Sequence, residues 1–128
     1  MKIKLLFLAC LLSFGAMALV SPQNPPKKML RHVVLFKFKD SATPAQVKEV
    51  EDAFRKVPTQ IKEVKGFEWG TNNSPEGLNQ GFTHAFFVSF ENEAAREIYL
   101  PHPDHKAFVK VLEPHLDKVL VIDYWTKE

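Results

Sequence analysis

A chain of 128 residues has room for one domain and a modest core. Hydrophobic residues at 45% and charged residues at 25% match a folded soluble protein, and 11 Phe is the one unusual count. The formal net charge is +2, but without Lys2 and Lys4 of the N-terminal segment the 17 basic residues fall to 15, against 15 acidic; a balance near zero excludes the basic surface that nucleic acid or an acidic membrane would require.

The first residues read differently from the rest. Lys2 and Lys4 precede an apolar run from Leu5 to Phe14, broken only by Ser13, and Ala16-Met17-Ala18 follows with small residues in A-x-A spacing. This is the three-part layout of a secretory signal peptide, expected to be removed on export to a periplasm or the exterior. The apolar stretch is about 16 residues, short of the ~20 that a spanning helix needs. Phe7-Leu8-Ala9 before Cys10 resembles a lipobox, but the apolar core ahead of that cysteine is too short for a lipoprotein signal. Loss of residues 1–18 removes Cys10, the only cysteine, so the mature chain has neither thiol nor disulfide, and no stable membrane association is expected of it. Residues 19–28 form a Pro-rich linker, and residues 29–128 a single domain without internal repeats.

Within that domain, residues 30–39 are rich in β-branched and aromatic side chains and predict a strand, with His32, Val34, Phe36 and Phe38 on one face and Arg31, Val33, Leu35 and Lys37 on the other. Thr43-Pro44 starts a helix, as N-cap and first residue, and Val47, Val50, Phe54 and Val57 give it one apolar stripe. Pro58 is expected to interrupt or end it, or to leave one further turn before Gly66. A short strand over 67–72, a loop over 73–80 and a strand over 82–90 follow. Asn92 caps a helix over 93–100, Pro103 opens a third carrying Phe108, Val111 and Leu112, and Pro114 closes it. The last strand covers 118–126, with Val119 and Val121 on one face and Leu120, Ile122 and Tyr124 on the other.

The order β-α-β-β-α-(α)-β is that of an α+β, ferredoxin-like (split β-α-β) domain with a four-stranded antiparallel sheet. Helices cover one face. The other carries Val33, Leu35, Ala85, Phe87, Leu120, Ile122 and Tyr124, a continuous apolar patch of the kind that monomers avoid. A second copy packing sheet against sheet would cover it, so a homodimeric α/β barrel is expected.

Alternation also places His32 and His84 among Val34, Phe36, Phe86 and Val88. Burial there lowers a histidine pKa and leaves a neutral proton acceptor. With His105 at a helix start and the Tyr99 hydroxyl, the set offers candidate bases and a donor in an apolar cavity, as proton abstraction beside a carbonyl requires. The same histidines also fit a structural role, bonded to each other or to backbone, with Tyr99 packing. His102 reads as a cap or surface residue. No nucleophile motif, phosphate loop or dinucleotide fingerprint is present, no cofactor is called for, and His102-x-x-His105 supplies too few ligands for a metal site.

The segments His32-Val-Val-Leu-Phe-Lys-Phe-Lys39, Phe67-Glu-Trp-Gly70, Gly81-Phe-Thr-His-Ala-Phe-Phe-Val-Ser-Phe90, Tyr99-Leu-Pro-His-Pro-Asp-His-Lys-Ala-Phe108 and Val121-Ile-Asp-Tyr124 together resemble the stress-responsive dimeric α/β-barrel (Dabb) family over about residues 29–126. The resemblance implies a ferredoxin-like protomer dimerising through its sheets. It also implies, from the family's best understood member, a cyclase of a polyketide thioester, that His105 acts as base with Tyr99 assisting, and that His32 and His84 line the pocket. Phe54 and Phe86 stand where that member has a tyrosine and a valine, which implies a smaller, more apolar pocket. The candidate set is therefore His105, Tyr99 and His32 for catalysis, with His84, Val34, Phe36, Phe54, Phe86 and Phe108 around a small apolar or polyketide-like ligand. A cofactor-free lyase or cyclase and a non-catalytic ligand-binding or structural stress protein both remain open.

Overall fold

The computed structural model describes residues 27–127. The leader expected over 1–18 and most of the linker over 19–28 lie outside the described residues. Strand β1 (Leu30–Phe38) leads to helix α1 (Pro44–Gln60), the hairpin strands β2 (Gly66–Thr71) and β3 (His84–Phe90), helices α2 (Glu93–Tyr99) and α3 (Pro103–Leu112), a 3-10 turn (Glu113–His115) and strand β4 (Leu116–Trp125). The sheet order is β2-β3-β1-β4, antiparallel throughout, the ferredoxin-like arrangement that the element order calls for. Among the described residues no helix is long and apolar enough to cross a membrane.

Each helix begins where local chemistry satisfies its first N–H groups. Thr43 Oγ1 accepts from the Gln46 N–H at 3.3 Å, and Gln46 Oε1 accepts from the Thr43 N–H at 2.9 Å, a reciprocal capping box ahead of Pro44. Asn92 Oδ1 accepts from the Ala95 N–H at 2.9 Å to start α2. His102 caps α3 with its ring, Nδ1 accepting from the Asp104 N–H at 3.2 Å.

At three boundaries the structure departs by two residues or more from the sequence expectation, or decides between its alternatives. Pro58 does not stop α1, which runs to Gln60, with the Ile61 N–H still bonded to the Val57 carbonyl at 3.0 Å. Pro58 lies in the last turn, and the buried stripe Val50, Phe54, Val57 and Ile61 holds that turn against the sheet despite the missing N–H. Strand β3 begins at His84 rather than Phe82. Gly81 takes a left-handed φ of 82°, and the Phe82 N–H turns back to the Asn79 carbonyl. Pro114 sits in the 3-10 turn that feeds β4, so β4 starts at Leu116 instead of Lys118.

The core is a stack of aromatic rings between the sheet and the helices. Phe54 of α1 lies 4.1 Å from Phe108 of α3 and 4.5 Å from Phe86 of β3, ring centre to ring centre, and Phe36 of β1 lies 5.2 Å from Phe86. On the opposite sheet face the ladder aligns Phe87, Val33 and Ile122 in one row and Ala85, Leu35 and Leu120 in the next. Among the described residues no helix covers that face, and Leu120, Ile122 and Tyr124 are 41%, 52% and 44% exposed. Phe54 touches the other rings of the stack, so Phe54→Ala is expected to cost about 3–5 kcal/mol of stability in denaturant unfolding; a loss below ~1 kcal/mol would mean that the stack is not the core.

Candidate functional site

A cleft of about 320 Å³ opens between β1 and β4 on one side and the α2–α3 pair on the other. It exists because the helices stop short of the sheet edge. Val119 and Val121 of β4 belong to the helix-covered face by register, opposite Phe36 and Val34, yet remain 48% and 49% exposed. Val34, Phe36, Phe54, Phe108 and the two valines make its wall apolar, and His32, Tyr99 and His105 complete the lining.

Alternation along β1 turns His32 inward, and the β1–β4 register sets Asp123 directly opposite on the same face. The His32 Nδ1–H donates to Asp123 Oδ1 at 2.7 Å. Arg96 of α2 donates from Nη1 to the other carboxylate oxygen, also at 2.7 Å. In the neutral His32 ring this arrangement leaves Nε2 as the free acceptor.

The second histidine of the cleft comes from the turn between α2 and α3. Pro103 opens α3, which brings His105 into its first turn, and the His105 Nδ1–H donates to the Leu100 carbonyl at 2.8 Å. A carbonyl only accepts, so Nδ1 carries the proton and Nε2 is again the acceptor. Burial holds the His105 pKa below the usual histidine value; the Leu100 hydrogen bond opposes that, and nearby His32 and His102 add to it. Tyr99, at the end of α2, lies with its ring 4.4 Å from that of His105 and 6.0 Å from that of His32. Its hydroxyl oxygen is buried without a hydrogen-bond partner among the described residues, and burial pushes its pKa up, so it stays protonated.

The structure thus brings His32, Tyr99, His105, Val34, Phe36, Phe54 and Phe108 to one cleft. His84 and Phe86, expected on the same wall, are not there. Both lie on β3, one strand further in, and Phe86 is fully enclosed by Phe36, Phe54 and Trp69. His84 donates from Nε2–H to Glu51 Oε1 at 2.9 Å and accepts from the Thr83 hydroxyl at 2.8 Å, so both ring nitrogens are engaged. Neither His32 nor His84 bonds the other or a backbone group; each has a carboxylate. A wider depression of about 440 Å³ beside residues 72–83 is lined by Leu35, Leu78, Leu120 and neutral amides, and His84 is its one ionisable group. Sequence reasoning did not single out Asp123 and Arg96. The signal for Asp123 was present: it is the lone charged residue in the alternation Val119, Val121, Asp123.

Residues 30–126 match the family described as Stress responsive A/B Barrel Domain, and the chain belongs to that family. It is 40% identical over 98 residues to the stress-response A/B barrel domain-containing protein HS1 of Arabidopsis thaliana, covering 77% of this chain and 90% of that one. It is 30% identical over 95 residues to olivetolic acid cyclase of Cannabis sativa, covering 74% and 94%. Among solved structures, hydroxynitrile lyase from Passiflora edulis superposes with a TM-score of 0.75 at 27% identity over 80% of this chain and 97% of that one. A dimeric ferredoxin-like protein from Thermobifida fusca superposes with a TM-score of 0.66 at 30% identity over 77% and 92%.

An unpartnered buried hydroxyl is a cost to the folded protein. Tyr99→Phe is therefore expected to leave the stability unchanged or raise it by up to about 1 kcal/mol in thermal or denaturant unfolding. A clear loss of stability would show that the hydroxyl is bonded within the fold and is not held in reserve for a ligand.

Proposed function

We propose that this member of the A/B barrel family is an exported homodimer whose cleft performs cofactor-free acid–base chemistry on a small apolar carbonyl compound, as a lyase or cyclase. One observation carries the reading. A neutral His105, its Nδ1–H donated to the Leu100 carbonyl, has its ring 4.4 Å from that of Tyr99, whose buried hydroxyl has no partner among the described residues, at the wall of an apolar cleft. His105 Nε2 takes a proton from the carbon beside the carbonyl. The C–H electron pair moves into the new C=C bond, and the carbonyl π pair moves to oxygen, where the Tyr99 hydroxyl donates to the developing enolate. The imidazolium keeps its Nδ1–H on Leu100 and can return the other proton in a later step. The names of two relatives, a cyclase and a lyase, support this class of reaction.

A proton-exchange assay tests it without knowledge of the substrate. In D₂O the protein is expected to accelerate loss of the α-proton NMR signal of 2-heptanone, and His105→Ala to lower that rate by about 10²-fold or more. The lowered His105 pKa means that the base is neutral at and above about pH 6.5 and is lost only as pH falls below that value. A rate in wild type equal to that of buffer, with ketone contacts visible by saturation transfer, would identify a non-catalytic carrier of apolar compounds.

The uncovered sheet face supports the dimer. Leu120, Ile122 and Tyr124 flank the more covered Val33 and Phe87, and the Thermobifida fusca relative is described as dimeric. Sedimentation and intact mass of the secreted protein are expected to give two copies, each lacking residues 1–18, and Ile122→Lys to give monomers. A wild-type monomer at micromolar concentration would remove the barrel, and a mass that includes residues 1–18 would remove the export signal.

A further inference from the structure

We propose that Arg96 is a positioning residue that lets Asp123 orient His32 without charging it. The inference rests on the acid–base reading of the cleft. It concerns the second acceptor, His32, and the ion pair behind it.

His32 is 7% exposed and touches a carboxylate at 2.7 Å. A carboxylate alone beside a buried imidazole favours the doubly protonated ring. That would turn Nε2 from an acceptor into a donor and place a cation on the cleft wall. Positive charge on His32 would also oppose proton uptake by His105, because two imidazolium rings near each other repel. The structure supplies the counterweight. Arg96 reaches from α2 to Asp123 Oδ2 at 2.7 Å, so the carboxylate's charge is offset while its other oxygen still fixes the His32 ring. The groups facing His32 are Asp123 from β4, Tyr99 and the Arg96 guanidinium behind Asp123 from α2, Phe90 from β3 and His105 from α3. Only Asp123 and Arg96 carry fixed charge, and they are of opposite sign. The side chains of Arg96 and Asp123 are each about three-quarters covered, although Asp123 as a residue is exposed on the edge strand, so solvent screens this effect only in part. Arg96 also lies one turn before Tyr99 in α2, so the same pair ties the helix that presents the hydroxyl to the strand that presents Asp123.

Charge and tie are separable by substitution. Arg96→Gln keeps a donor for Asp123 and removes the charge; Arg96→Lys keeps the charge. Ring nitrogen NMR of the unliganded protein, followed against pH, reads the tautomer and charge of His32 directly. At one fixed pH the ring-nitrogen signals are expected to show more doubly protonated His32 in Arg96→Gln than in wild type, because the Asp123 carboxylate then faces the ring without its counter-charge. Arg96→Lys is expected to give the wild-type ring-nitrogen signals. Arg96→Met should shift in the same direction as Arg96→Gln, which covers the case in which one variant folds poorly. An unchanged His32 in Arg96→Gln, or an equal shift in Arg96→Lys, would overturn the proposal and leave Arg96 as a packing tie. Because the measurement uses no substrate, its outcome is independent of whether the ketone exchange assay succeeds.

Discussion

The sheet of this protein is wider than the layer of helices laid on it. Helices α1 and α3 lie over β1 and β3 and bury a continuous stack of phenylalanine rings there. Strand β4 extends beyond them, so its inward valines line a space instead of a core. The cleft follows from that mismatch. Its floor is strand, its wall is the α2–α3 corner, and its polar residues come from that corner, Tyr99 and His105, and from within β1, His32. The opposite face is also uncovered among the described residues, so one sheet raises both the question of a ligand and the question of a second copy.

Three histidines near the core have three different surroundings. His84 has both nitrogens occupied, by Glu51 and by Thr83, and is braced by Trp69 and Phe86. It satisfies the general requirement that buried polar groups be paired, and nothing is left over for a ligand. His32 is half-committed: one nitrogen is held by Asp123 and the ring borders the cleft. His105 is held by a backbone carbonyl, which fixes its tautomer without adding a charge. The partner of each ring, more than its burial, separates a structural imidazole from one free to take a proton. Tyr99 completes the contrast, since its hydroxyl is enclosed and bonded to nothing among the described residues.

Much of this was legible in the residues. Alternation in β1 and β3 correctly placed His32, Val34, Phe36, His84 and Phe86 on one face, because side chains in a strand alternate whatever the tertiary context. The cap residues Thr43, Asn92 and His102 were legible for a similar reason: an N-cap is a local contact spanning two or three residues. At Pro58 the sequence left open an end or a further turn, and the burial of Phe54, Val57 and Ile61 around it decided for continuation to Gln60. The placement of His84 and Phe86 away from the cleft has a different origin. A shared face says nothing about distance across the sheet, and β3 stands one strand behind the cleft.

By itself, then, the sequence determined the element order, the fold class, the inward and outward faces of each strand, and the family, because these depend on periodicity and on contacts between near neighbours in the chain. Only the tertiary structure decided which inward residues meet a ligand space and which fill the core. It alone joined Arg96, Asp123 and His32, which are separated by as many as 91 residues along the chain. Strand register and the reach of a helix across a sheet are long-range properties, and no local pattern of residues encodes where one strand's histidine meets another strand's carboxylate.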